Sequence, residues 1–365
     1  MVSFIVINLS FFNPFLKVVK DFSFLDVYYA ENFSDTKSVN PNIVLINIEH
    51  KDRFEIAMLL EEVMQQKPKV VGVDMIFKEE KEAFSDSLLA SQLQNNTIVQ
   101  AYILEKKESI YSHKKFQNNT KGFVNLNFDN QESVVREFVG MHELNSKEHV
   151  SWAAQITKLA VGDSTWNARN YKKHLKGNTA IIYKGKYDSF LTLGYDEFMS
   201  QVDKNIINNK IVLLGYIGDP TGDIYDVEDK FFTPLNPVTA GKSIPDMFGV
   251  VIHANIINML LKNDFLYRIS NFWVYLLAFI CNFFLVRYFL ILDKTDKLGA
   301  RTKRKIIVFI FSVVIGGIAL WLFRYGIILK VTPIIAFTVF SAGVVKYYKH
   351  LIKFIQTKTK WESYI

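Results

Sequence analysis

Cysteine is the first shortage. The 365-residue chain has one, Cys281, and it lies inside a long apolar run. A disulfide within the chain is therefore excluded, and a domain outside that run, having no cysteine, must be held by its core. A phosphate-cradling loop is missing too: Gly215, Gly218 and Gly222 are not followed by the Lys and Ser or Thr that such a loop needs. No Gly-x-Ser-x-Gly turn is present to raise a nucleophilic serine. The histidines, His50, His113, His142, His149, His174, His253 and His350, are scattered, with no pair at metal-ligand spacing. Together these gaps argue against an enzyme. Acidic residues are scarce in one region only. From Ile269 onward three acids stand against 14 Lys and Arg, whereas the preceding part has 29 basic against 33 acidic residues. The net charge of +7 thus hides a basic end and a mildly acidic remainder. That split does not make a nucleic-acid footprint, which requires a basic face on a folded domain.

What is present at the basic end is hydrocarbon. Asn271–Leu292 is broken only by Asn271, Asn282 and Arg287. Ile306–Phe323 is apolar apart from Ser312 and Gly316-Gly317, and Ile327–Val345 carries only scattered polar residues, with Pro333 among them. A bilayer core of about 30 Å takes a helix of about 20 mostly apolar residues. Three such segments, 271–292, 306–323 and 327–345, predict three transmembrane helices. The connector Asp293–Lys305 and the tail after Val345 are rich in Lys and Arg, while the other connector holds only Arg324 and Lys330. Short basic loops stay in the cytoplasm, so the first connector and the tail 346–365 are expected inside. The large domain 21–268 is then expected outside the cytoplasm, and the tail reads as an amphipathic basic helix on the inner leaflet. Gly316-Gly317 and Pro333 suit close packing or a kink, and Arg287 suits a snorkelling anchor about one turn from the helix end. At the other end, Val2–Leu16 is apolar but short and interrupted. It reads as a first membrane helix or signal anchor over 1–20, with a surface segment as the alternative.

The outer stretch alternates strand and helix signals. Ile43–Ile48, Lys69–Val73, Thr97–Tyr102, Thr179–Tyr183 and Lys210–Gly215 read as strands. Arg53–Gln66, stopped by Lys67-Pro68, together with Phe84–Leu93, His149–Val161 and Val250–Leu261, reads as helices. Glu105–Thr120 is a polar loop, and Gly122–Phe128 with Val134–Val139 suggests an inserted hairpin. Asp219–Gly249 is a long loop with four prolines. The fold class expected is α/β, a mostly parallel sheet with flanking helices and an inserted hairpin, followed by a bundle of three transmembrane helices.

Several of these stretches, in this order, resemble the CHASE2 family of bacterial extracytoplasmic sensor domains. They are the strand ending in Glu49, Val70–Phe77 with Asp86 and Leu88-Leu89-Ala90 after it, Gly122–Phe138, Lys210–Asp226 with Thr233-Pro234, Val251–Leu266, and the closing apolar segments. The segment after Glu49, usually carrying a Trp-Pro-Trp-like stretch, is here only His50–Arg53. The resemblance implies an α/β ligand-sensing domain with one helix before it and three after. In the family the sensor commonly feeds a cytoplasmic cyclase or kinase. Here only 346–365 follows the last helix, so a stand-alone sensor serving a separately encoded partner is expected.

Ligands of an open parallel sheet bind at the carboxyl ends of its strands. Glu49 and Asp74 fall there, as does the loop bringing Asp219, Asp223 and Asp226, and His253 and Asn255 open the last helix nearby. Such a set suits a cation or a polar small molecule. It equally suits helix caps and turns, with His253 satisfying a buried carbonyl. The metal and any cofactor are left unnamed. Expected partners are the lipid bilayer, a small-molecule or ionic signal, the separately encoded signalling protein and a second copy in a homodimer, with no nucleic acid. A scaffold component of a cell-envelope complex is the alternative function.

Overall fold

The computed structural model describes residues 39–105, 108–126, 134–200, 203, 205–219, 226–236, 244–295 and 299–359. The segment 1–20, read as a first membrane helix, lies outside them. The chain divides into two units, Met1–Phe265 and Leu266–Ile365.

In the first unit six strands form one parallel sheet: β1 (Asn40–Asn47), β2 (Val70–Val73), β3 (Ile98–Tyr102), β4 (Lys121–Phe123), β5 (Phe190–Leu193) and β6 (Ile211–Gly215). Their spatial order is β4-β3-β2-β6-β1-β5, every pairing parallel. β2, β3 and β6 are buried along their whole length, which is why they read as unbroken apolar runs.

Each face is covered by helices. On one, α1 (Arg53–Gln65) and α2 (Ala83–Leu93) set Leu59, Leu60, Val63, Leu89 and Leu93 on Val44, Ile46, Val71, Val73, Val212 and Leu214. Asp52 and Glu55 close a capping box on α1, and Glu82 accepts the Phe84 and Ser85 N–H groups to start α2. Lys67, at φ 53°, and Pro68 end the α1 segment. Arg53 ties the two helices by an ion pair to Asp86, whose side chain is 1 % exposed. On the other face lie α3 (Trp152–Val161) and, after the short helix α4 (Tyr195–Met199), α5 (Gly249–Lys262). Trp152 donates its indole N–H to the Val99 carbonyl at 3.0 Å. α3 comes so close that a Cβ on Gly72 would meet Ile156 Cδ1 and Trp152 Cζ2, each at 2.6 Å.

Three expectations change. The inserted hairpin exists but lies further on, Met141–Leu144 against Lys147–Val150, turned by Asn145-Ser146, both in the left-handed region. Lys121–Phe123 is instead the edge of the parallel sheet, Glu137–Val139 pairs with Asn178–Ala180, and 127–133 lies outside the described residues. The polar loop 105–120 is anchored: Phe116 is in the core, and the buried Asn118 amide donates to the carbonyls of Leu93, Asn95 and Ile98. β5, too short and mixed in sequence to announce itself, forms the second edge.

The second unit has α6 (Asn271–Thr295), α7 (Ala300–Phe323) and α8 (Val331–Lys358). Two spans, Asn271–Asp293 and Ala300–Phe323, are long and apolar enough to cross a membrane. The third is broken, its halves Val331–Val345 and His350–Lys358 meeting at 49°. Pro333 sits in the first turn, where its missing N–H costs nothing, so the bend falls elsewhere. Ile327 and Ile328 pair with Tyr267 and Arg268 rather than opening the third helix. Gly317 faces open space; Ile315 and Ala319 make the contact, with Val274, Ala278 and Ile334.

Gly72→Ala overpacks the α3 contact and is expected to lower stability by about 1–3 kcal/mol, and Trp152→Ala by about 3–5 kcal/mol. Denaturant unfolding checks both. Unchanged midpoints would mean α3 does not rest on the sheet.

Candidate functional site

β1 and β6 are neighbours, yet the helix after β1 packs on one face and α5, which follows β6, on the other. Val212 and Leu214 face α1, while Gly215 rests on Val250 of α5, where a Cβ would come within 2.8 Å of the valine Cβ. This is a topological switch point, and in such sheets the crevice outside the strand ends is the default binding position.

The crevice is built from the ends of β1, β2 and β6. Asn47, the last residue of β1 and 8 % exposed, donates its amide to the Gly218 carbonyl at 2.7 Å. Its Oδ1 accepts the Ile217 N–H at 2.9 Å and the Glu49 N–H at 3.1 Å. One side chain thus fixes the loops leaving both strands. Gly218, at φ 94°, takes a conformation that favours glycine, and a Cβ there would strike the Phe248 ring at 2.9 Å. Tyr216 donates its hydroxyl to Asp226 at 2.7 Å, and the Glu228 N–H reaches the other oxygen at 3.0 Å. These hydrogen bonds, the tyrosine's first, outweigh desolvation and hold the Asp226 carboxyl below the usual range. The Tyr216 hydroxyl is pushed up, by desolvation first and then by that bond.

Asp74, at the end of β2, has the opposite environment. Its N–H donates to the Leu214 carbonyl at 2.9 Å. Its half-buried carboxyl is pushed up to about 8, by burial first and then by the charge of Asp229. Asp229 is more open to solvent, and burial raises it to about 6 against the pull of a backbone hydrogen bond from Gly249. Its carboxyl lies against the start of α5, where a Cβ on Gly249 would sit 3.0 Å from Oδ2. Among the described residues neither carboxyl has a cationic partner. Burial is the larger cause for both carboxyls, and the charge of Asp229 adds to it at Asp74, so Asp74 favours keeping its proton. Next to the strand ends, a cleft of about 690 Å³ opens at the starts of α1 and α2, lined by Lys51, Arg53, Ile56, Phe77 and Ser85.

The sequence candidates separate in space. Asp74, Asp219 and Asp226 belong to the strand ends; Asp219 is exposed and donates its N–H to Asp226. Asp223 lies outside the described residues. Glu49, at φ 51°, turns toward α4, accepts the Tyr195 N–H at 3.3 Å and stands 3.7 Å from Lys51. His253 is 3 % exposed, edge-on to Trp152 at 5.2 Å, and burial pushes its ring down to about 4, so it is neutral. Asn255 is fully buried and fixes the backbone of Lys184 and Gly185. These last two are core groups of the α5 layer. Among the described residues no three acidic, histidine or cysteine side chains come together to hold a metal. Asn47, Tyr216 and Asp229 are new to the set. Asn47 was legible as the polar end of an apolar strand; Asp229 was not, because only the folded loop brings it to Asp74.

A family model described as "CHASE2 domain" matches residues 3–288, most of the chain and part of its first long apolar helix. No curated protein and no solved structure matches the chain.

A carboxyl whose folded pKa is raised stabilises the fold below its unfolded pKa, and that contribution is lost as pH rises through the folded value. For Asp74 the window runs from about 4 to about 8. The thermal midpoint should therefore fall as pH rises from about 5 to about 9, and Asp74→Asn should flatten the fall. Equal slopes in wild type and variant would remove Asp74 as the cause.

Proposed function

The chain belongs to the CHASE2 family of extracellular sensor domains, and from that membership we propose that it is a membrane-anchored sensor whose ligand enters the crevice beside Asp74 and Asp229. The observation that carries this reading is that Asp74 and Asp229, which have no cationic partner among the described residues, lie at the switch point of a sheet covered on both faces. A cationic ligand would displace the proton of Asp74 and find there two acceptor carboxyls. The role proposed is binding rather than catalysis.

Transmission needs a ligand that favours one of two conformations. Asn47 ties the loops of β1 and β6 together, so a ligand that pulls on one loop moves the other. We place the outer domain on the extracytoplasmic side of a bacterial cytoplasmic membrane and the bent basic half of α8 on the inner side. A separately encoded protein meeting that inner surface would receive the signal. Phe54 and Phe84, stacked at 6.2 Å and exposed, suit a protein partner of the outer domain and are the feature that favours a scaffold role instead.

The test is a thermal-shift screen of the full chain in detergent, with polar and cationic small molecules, beside the Asp74→Asn/Asp229→Asn double variant. A true ligand at about 100 times its Kd contributes about 2.7 kcal/mol, a rise of about 5–10 °C for a domain of this size. The rise should vanish in the double variant. A rise that survives it would place the ligand elsewhere and overturn the assignment.

A further inference from the structure

The membrane unit holds a second recognition feature. Between α6 and the first half of α8 runs a groove of about 1000 Å³, walled by Phe279, Phe283 and Phe337 and carrying Asn282, Arg287 and Tyr348. α6 continues to Thr295, and Arg287 stands five residues, about 7 Å, before Leu292, where the apolar run ends. At that depth an unpaired charge is costly. Arg287 nevertheless makes no hydrogen bond or ion pair with any described residue. Nearby, Asn282 spends its amide N–H on the Ala278 carbonyl, and its Oδ1 is buried without a partner.

An anion that reaches the groove would pair with Arg287, which has no partner among the described residues. A second copy of the chain is poorly equipped to supply one. From Asn271 to the end the acids are Asp293, Asp296 and Glu362. Asp293 is taken by Arg304 at 3.5 Å. Asp296 and Glu362 lie outside the described residues. A phospholipid phosphate carries the anionic oxygens that the planar guanidinium fork binds best. From Arg287 back to Phe279 is eight residues, about 12 Å, which lies within one leaflet's share, about 15 Å, of the hydrocarbon core. In sequence, the connector that follows the apolar run of α6 carries Lys294, Lys297, Arg301, Lys303, Arg304 and Lys305. Those charges repel the amine of a zwitterionic headgroup and favour an anionic one.

We propose that this groove is the site of one anionic phospholipid of the surrounding bilayer, its phosphate held by Arg287 and one acyl chain lying over Phe279, Phe283 and Phe337.

The experiment uses the full chain. It is reconstituted in phosphatidylcholine vesicles containing a minor share of phosphatidylglycerol, extracted in mild detergent, washed, and its retained lipids counted by mass spectrometry. The wild type should keep phosphatidylglycerol selectively. Arg287→Gln loses a charge-assisted hydrogen-bonded pair and should retain about ten-fold less, and Arg287→Lys should fall between. Ser341, which also lines the groove, offers a variant that leaves the charge alone: Ser341→Trp fills the space and should expel the lipid too, and it decides the matter if Arg287→Gln fails to fold. Equal retention in wild type and both variants would overturn the site. Retention of phosphatidylcholine in place of phosphatidylglycerol would overturn the anionic assignment. Unchanged lipid with loss of a dimer in Arg287→Gln would give the groove to a second copy and overturn the proposal.

Discussion

The outer unit depends on one constraint: a parallel sheet must bury both its faces, and this chain has no disulfide to help. Every strand-to-strand passage is therefore a crossover that lays a helix or covering segment on the sheet. Because β6 is inserted between β1 and β2, the sheet has neighbouring strands whose helices leave to opposite faces. A gap at the carboxyl ends of β1 and β6 is the unavoidable result. Asn47 spans that gap, and its three hydrogen bonds tie the two loops together.

Electrostatics then distinguishes two carboxylates at the strand ends, Asp226 and Asp74. Asp226 receives a phenol and backbone N–H groups, which satisfy its negative charge. Asp74 receives burial and a second acid. The first builds the loop. The second keeps its proton where a ligand would enter. A fold whose cohesion comes from apolar layers tolerates such a group, because the layers of α1, α2, α3 and α5 do not rely on it.

Much of this was legible in the residues. The apolar runs at Ile43, Val70, Ile98 and Ile211 became buried strands because full burial removes the need for alternation. Asp74 was legible as the first polar residue after such a run. What failed to show depended on long-range geometry. The hairpin was misplaced because Gly122 answers to the backbone of Ser151 and Trp152, not to a turn nearby. His253 and Asn255 stand near the loop in sequence, but one or two helical turns rotate them into the core, against Trp152 and Gly185. Asp229 has no local signature, since its partner lies 155 positions earlier in the chain. In the membrane unit hydropathy found the helices, while the bend in α8 needed coordinates.

The central claim is that the crevice keeps an uncompensated, proton-holding carboxyl pair. It is tested most directly by a carboxyl carbon-13 NMR titration of the aspartate-labelled protein, with Asp74→Asn used to assign the signal. The account predicts one aspartate titrating near pH 8, absent from the variant, and a second near pH 6. If every aspartate of the wild type instead titrated within the ordinary range, around 4, Asp74 would be charged at neutral pH and the account would be wrong.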